Sequence, residues 1–155
     1  MIILGIDPGS HRIGYGVIKY ENGKTSCLDY GIIELTGKKS SKGLPKLHKN
    51  LNDLIKKFTP DLASIEKLFF FKNSKTVIEV AEARGVILFT LEKSAIPIIE
   101  FTPLQVKSYV SGYGRAQKTG IQKMVKLLLN LETDPKPDDA ADALALALCA
   151  TTIKQ

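Results

Sequence analysis

The sequence predicts an α/β domain: a mixed five-stranded sheet with helices on both faces. Three observations carry this expectation. Residues 1–6 are an apolar run halted by Asp7-Pro8-Gly9-Ser10, as in a buried strand stopped by a turn. Two runs rich in Ile, Val and Tyr, residues 13–19 and 26–35, flank Asn22-Gly23, a strong hairpin signal. Beyond them, segments with helical apolar spacing alternate with short apolar runs, the pattern of strands covered by helices.

Taken in order, the first three runs make a meander. Leu44, Leu47, Leu51, Leu54, Ile55 and Phe58 recur at three- and four-residue spacing, which predicts an amphipathic helix ending before Pro60. Residues 61–66 read as a short fourth strand. Asn73 or Ser74 caps the next helix, which runs to about Glu92 with Val77, Val80, Ala81, Gly85 and Leu88 on its apolar side. Residues 95–100 form the fifth strand. Thr102 before Pro103 starts a short helix that ends near Ser111-Gly112. A Gly-rich basic loop leads into a helix over residues 119–130. Pro135 and Pro137 punctuate the entry to an Ala/Leu-rich helix from Asp138 to about Thr152. No repeat is present, and 155 residues suit one domain spanning 1–155.

Composition narrows the class. Apolar residues at 44% and charged residues at 25% fit a folded soluble protein rather than a disordered one. No apolar run approaches the ~18 residues that span a bilayer, so no membrane partner is expected. The opening residues lack a cationic leader, and Cys27 and Cys149 are widely spaced. Two reduced thiols in a cytoplasmic protein are the expectation. The net charge is +6, and its placement is informative. Residues 36–52 carry Lys38, Lys39, Lys42, Lys46 and Lys49 without an acid; residues 101–131 carry Lys107, Arg115, Lys118, Lys123 and Lys126, again without one. Such stretches are either solvated surface or a grip on a polyanion.

The acids gather elsewhere. Asp7 ends an otherwise apolar strand, where a carboxylate is costly unless it caps its turn, is paired or binds metal. Glu66 closes the fourth strand, and sites in open α/β sheets form at such strand ends. Asp139 and Asp142 share one helical face in a helix otherwise built of Ala and Leu. The helix dipole and an N-cap role for Asp138 explain part of this clustering. Small Ala side chains would let this helix approach the sheet and bring its acids near Asp7 and Glu66. Four carboxylates at one point repel one another, and a hard cation relieves that repulsion. Oxygen ligands favour Mg²⁺ or Mn²⁺, and two ions roughly 3.5–4 Å apart can activate water against a phosphodiester.

Gly5-Ile6-Asp7-Pro8-Gly9-Ser10, Ile65-Glu66-Lys67-Leu68-Phe69 with Lys72-Asn73, Ala83-Arg84-Gly85, and Asp139-Ala140-Ala141-Asp142-Ala143-Leu144-Ala145 together resemble the RuvC family of Holliday junction resolvases. Order and spacing match over nearly the whole chain. The resemblance implies an RNase H-like fold, a homodimer, and symmetric nicking of four-way junction DNA with two Mg²⁺ per active site, Mn²⁺ substituting. It implies Asp7, Glu66, Asp139 and Asp142 as catalytic, metal-holding acids. Asp138 stands beside Asp139, four residues before Asp142, so spacing alone leaves both open; the motif favours Asp139. Phe69 falls where the family stacks an aromatic on a base. Lys107 and Lys118 fall at positions resembling phosphate contacts, with Arg115 nearby. The RuvA and RuvB branch-migration proteins are implied partners, and the helix over 73–92 is the candidate dimer contact.

Four other readings compete. Gly112-Tyr113-Gly114-Arg115-Ala116-Gln117-Lys118-Thr119 departs from a P-loop because Gln117 replaces the required glycine and a helix precedes it. An actin- or Hsp70-like ATPase needs two lobes. The YqgF family, RNase H-like nucleases of ribosomal RNA precursors, shares the opening motif and the late acidic helix. The Glu66-to-Asn73 segment and Ala83-Arg84-Gly85 favour the resolvase. A junction-binding protein without cleavage is the remaining possibility, and the complete acid set argues against it.

Overall fold

In the computed structural model, residues 1–35, 43–67, 76–111 and 118–153 are described, with the side chains of 111, 118 and 119 excepted. The meander is β1 (Ile2–Asp7), β2 (Arg12–Glu21) and β3 (Lys24–Glu34). Asn22 and Gly23 both have positive φ, 52° and 76°, as a two-residue hairpin turn of this hand requires. Next come α1 (Leu44–Phe58), β4 (Leu62–Glu66), α2 (Val77–Lys93), β5 (Ile98–Phe101), α3 (Pro103–Ser111), α4 (Lys118–Leu129) and α5 (Asp138–Ala150). The strand order is β3-β2-β1-β4-β5. β1 is antiparallel to β2 and parallel to β4, and β4 is parallel to β5. The mixed five-stranded sheet expected from the sequence is therefore present.

Strand alternation sorts the side chains between two cores. Leu4, Ile6, Ile13, Val17, Ala63 and Ile65 point to one face and pack with Leu47 and Leu51 of α1 and Ala83, Ile87 and Leu91 of α2. Ile3 and Ile18 point to the other, against α5 and the buried Val106, Val110, Ile121, Val125 and Leu129 of α3 and α4. Helices thus cover both faces. Burial pushes the thiols up, Cys27 to about 11 and Cys149 to about 12, and both are free. Among the described residues no helix is long and apolar enough to cross a membrane.

Two local expectations are corrected. The buried face of α2 is Ala83, Ile87, Thr90 and Leu91, whereas Ala81 and Gly85 are exposed. Apolar residues surround α2, so periodicity did not single out the core side; packing against α1 and the sheet did. The N-cap of α5 is Pro137, in extended conformation, and Asp138 is the first helical residue. The helix over 73–92 starts in the described residues at Val77, with Asn73 and Ser74 outside them.

Candidate active site

Parallel pairing of β1 with β4 runs in register to Ile6 and Ile65. The next residue on each strand is Asp7 and Glu66. Neighbouring strands lie ~4.8 Å apart, so the two acids emerge side by side at the carboxyl end of the sheet. Alternation puts Asp7 on the face of Ile3 and Gly5, under α5, and Glu66 on the face of Ser64.

Helix α5 lies on bare backbone. A Cβ built on Gly5 would stand 2.0 Å from Ala143 O, and one on Gly14 1.9 Å from Asp139 O. One on Gly16 would meet Leu144 N at 2.8 Å. Gly5 pairs with Gly16, and Gly14 pairs with Asp7. These glycines thus clear one strip of sheet, and only residues without a Cβ allow that approach. The buried Ser64 Oγ donates to Leu146 O at 2.7 Å and ties the same helix to β4. The alanines of α5 complete the fit, all of them fully buried. Asp142 is delivered beside Asp7 because its neighbour Ala143 rests on Gly5.

Opposite α5, Thr102 and Gln105 form a reciprocal cap on α3: Gln105 Oε1 accepts from Thr102 N at 2.8 Å, and Thr102 Oγ1 from Gln105 N at 3.1 Å. This starts α3 directly after β5 and aims Lys107 at the strand ends. A cleft of about 290 Å³ results, lined by Asp7, Glu66, Asp142, Lys107, Val106 and Ile121 among others. Three acids and one lysine thus share an opening at the positive end of the α5 dipole. An all-oxygen donor set of this kind suits a hard divalent cation. Among the described residues, no three His, Cys, Asp or Glu side chains converge tightly enough to hold an ion as they stand.

The fourth predicted acid sits differently. Asp139 Oδ2 lies 3.2 Å from Arg12 Nε, is buried, and has no hydrogen-bond partner. It is absent from the cleft lining. Asp138 lines a separate groove with Gln122, Lys136 and Pro137. Lys118 opens α4, with its side chain outside the described residues, and Phe69 and Arg115 lie outside them altogether. Sequence reasoning missed Arg12, Ser64 and the glycine strip. The period of two in β2, which sets Arg12 on the face of Gly14 and Gly16, carried a signal for the first and the last.

The chain matches the family model described as crossover junction endodeoxyribonuclease RuvC over residues 3–150. It is 54% identical over 151 residues to the crossover junction endodeoxyribonuclease RuvC of Petrotoga mobilis, covering 96% of this chain and 92% of that one. The corresponding protein of Ruminiclostridium cellulolyticum is 55% identical over 150 residues, with 96% and 90% covered. Among solved structures, Thermus thermophilus RuvC in complex with Holliday junction substrate superposes with a TM-score of 0.90 at 28% identity, covering 97% of this chain and 93% of that one. The yeast mitochondrial Holliday junction resolvase Ydc2 shares the fold, with a TM-score of 0.66 at 18% identity over 95% and 76% of the two chains.

Proposed function

Since the chain belongs to the RuvC family of crossover junction endodeoxyribonucleases, we propose that it resolves four-way DNA junctions in recombination and repair by paired symmetric nicks. The observation that carries this reading is the convergence of Asp7, Glu66 and Asp142 with Lys107 on one cleft. Asp7, Glu66 and Asp142, joined by Asp139, would hold Mg²⁺, two ions per active site, with Mn²⁺ able to substitute; closing the set calls for side-chain adjustment. When bound, the ions would supply Lewis-acid stabilisation of charge at phosphorus and lower the pKa of an attacking water. Lys107 faces the three acids across the cleft, where its ammonium can hold a phosphate oxygen and offset the charge that develops there. The choice of Asp139 over Asp138 is supported by its backbone contact with Gly14, the register partner of Asp7. Stacking by Phe69 on an opened base and a phosphate contact by Lys118 rest on the family pattern, and Arg115 is a candidate by its nearness in sequence to Lys118.

Paired nicks on a two-fold junction call for two sites related by a two-fold axis. Helix α2 offers a contact for a homodimer: Ile78 is 72% exposed and Phe89 59% exposed, with Ala81 and Gly85 open between them. A single domain over 1–155 is supported by the sheet that both cores share. Action beside RuvA and RuvB in the cytoplasm rests on the family resemblance.

The test is cleavage of a labelled mobile four-way junction with Mg²⁺, Mn²⁺ or chelator, with structured RNA of equal length as competitor and the nicked ends mapped. Asp7→Asn should abolish nicking, by about a thousandfold or more, while junction binding persists. Retained cleavage would sink the assignment.

A further inference from the structure

Arg12 and Asp139 meet across the edge of the site, and their surroundings say what the contact does. Arg12 stands two residues before Gly14 on β2, so alternation turns it to the face under α5. The backbone of Asp139 is held against Gly14 itself, at a distance that leaves no room for a Cβ. Held there, the carboxylate of Asp139 lies beside Arg12 and outside the cleft lining, although Gly14 is the register partner of Asp7. Asp142, one helical turn on, lines the cleft.

The ion pair is not the parallel two-bond fork that Arg and carboxylates form when geometry is optimised. Arg12 Nε stands 3.2 Å from Asp139 Oδ2, and that oxygen remains buried without a hydrogen bond, so it takes no part in such a fork. Arg12 therefore neutralises the charge of Asp139 while leaving an oxygen unsatisfied, and its own side chain stays half exposed, at 49%. A buried carboxylate oxygen lacking a hydrogen bond is costly, and a better cation would relieve that cost.

We propose that Arg12 is a positioning residue for Asp139: it holds that carboxylate as a resident counter-cation in the metal-free protein, and a divalent ion entering the site displaces it. The inference rests on the carboxylate reading given above. It carries a definite sign. Arg12 stabilises the metal-free protein and opposes the second cation, both by occupying Asp139 and by adding positive charge beside the site. Loss of the arginine tightens metal binding and lowers metal-free stability together.

The experiment is a calorimetric titration of the full-length protein with Mn²⁺, alongside thermal unfolding with and without Mn²⁺. The proteins are wild type, Arg12→Gln, Arg12→Lys, Asp139→Asn and the double variant Arg12→Gln, Asp139→Asn. Arg12→Gln should bind Mn²⁺ about tenfold more tightly, the effect of one partly screened charge at this range, and should melt lower without metal. Arg12→Lys, which keeps the charge, should return toward wild type. In the Asp139→Asn background, Arg12→Gln should tighten binding much less. Unchanged or weaker Mn²⁺ binding by Arg12→Gln, with wild type binding normally, overturns the proposal and leaves Arg12 a structural tie. No binding by any of the five overturns the carboxylate reading first, and the role of Arg12 with it.

Discussion

The two faces of the sheet are packed by opposite means. On one, α5 presses alanines onto a strip of glycines, backbone against backbone, and carries Asp139 and Asp142. On the other, α1 and α2 meet the sheet through long aliphatic side chains, and α2 keeps a second apolar stripe facing outward. Backbone contact defines position with little slack, because no rotamer can absorb a shift. Side-chain contact tolerates repacking. The acids ride on the face that cannot give; the surface free to meet another chain is on the face that can.

Breaking the first face should produce the largest effect. In Gly5→Val, the new Cβ would need the place of Ala143 O and Ala147 N, both backbone atoms of α5. A flexible side chain could swing away; a helix must lift. The expected cost is about 3 kcal/mol or more, read as a drop in denaturant midpoint, with junction nicking lost even where the protein still folds. A Gly5→Val protein of wild-type stability would mean that α5 is not seated as the contacts imply.

Much of this was legible in the sequence, and the misses have physical causes. Alternation and the Asn22-Gly23 turn announced the meander, and Asp7 and Glu66 stood out because each ends a strand. Helical spacing linked Asp139 to Asp142 but could not show that Asp142 lines the cleft while Asp139 lies beside Arg12, since that depends on how α5 sits on the strands beneath it. The period of two in β2 turns Arg12 toward the face of Gly14 and Gly16, but its partner, Asp139, lies far along the chain, and no local pattern reveals that pairing. On α2, with Ile78, Val80, Val86, Ile87, Leu88, Phe89 and Leu91 distributed around the axis, periodicity offered two apolar sides, and only tertiary packing decided which is core.

The outer stripe of α2 sharpens the contrast at intermediate scale. Ile78→Asp with Phe89→Asp places charge on two side chains that are mostly in solvent, so the fold should lose no more than about 0.5 kcal/mol. Assembly should respond far more. Light scattering should show a dimer for the wild type and a monomer for the variant. Mapped junction products should change from paired to single nicks. A variant that remains dimeric would place the contact elsewhere on the surface.

The smallest expected effect reverses the sign seen on the α5 face. A Cβ on Gly85 meets nothing within 4 Å, so Gly85→Ala inside α2 should stabilise the folded chain by about 0.5–1 kcal/mol through helix propensity. If two copies meet along α2, however, that open space is filled in the dimer. The gain should then appear in the Ile78→Asp, Phe89→Asp background and shrink or reverse in the wild type. Thermal unfolding of the four proteins at one concentration forms a double-mutant cycle. Non-additivity would place Gly85 in the contact between copies; equal gains would show an α2 surface open to solvent in both, and the outward stripe would lose its role in assembly.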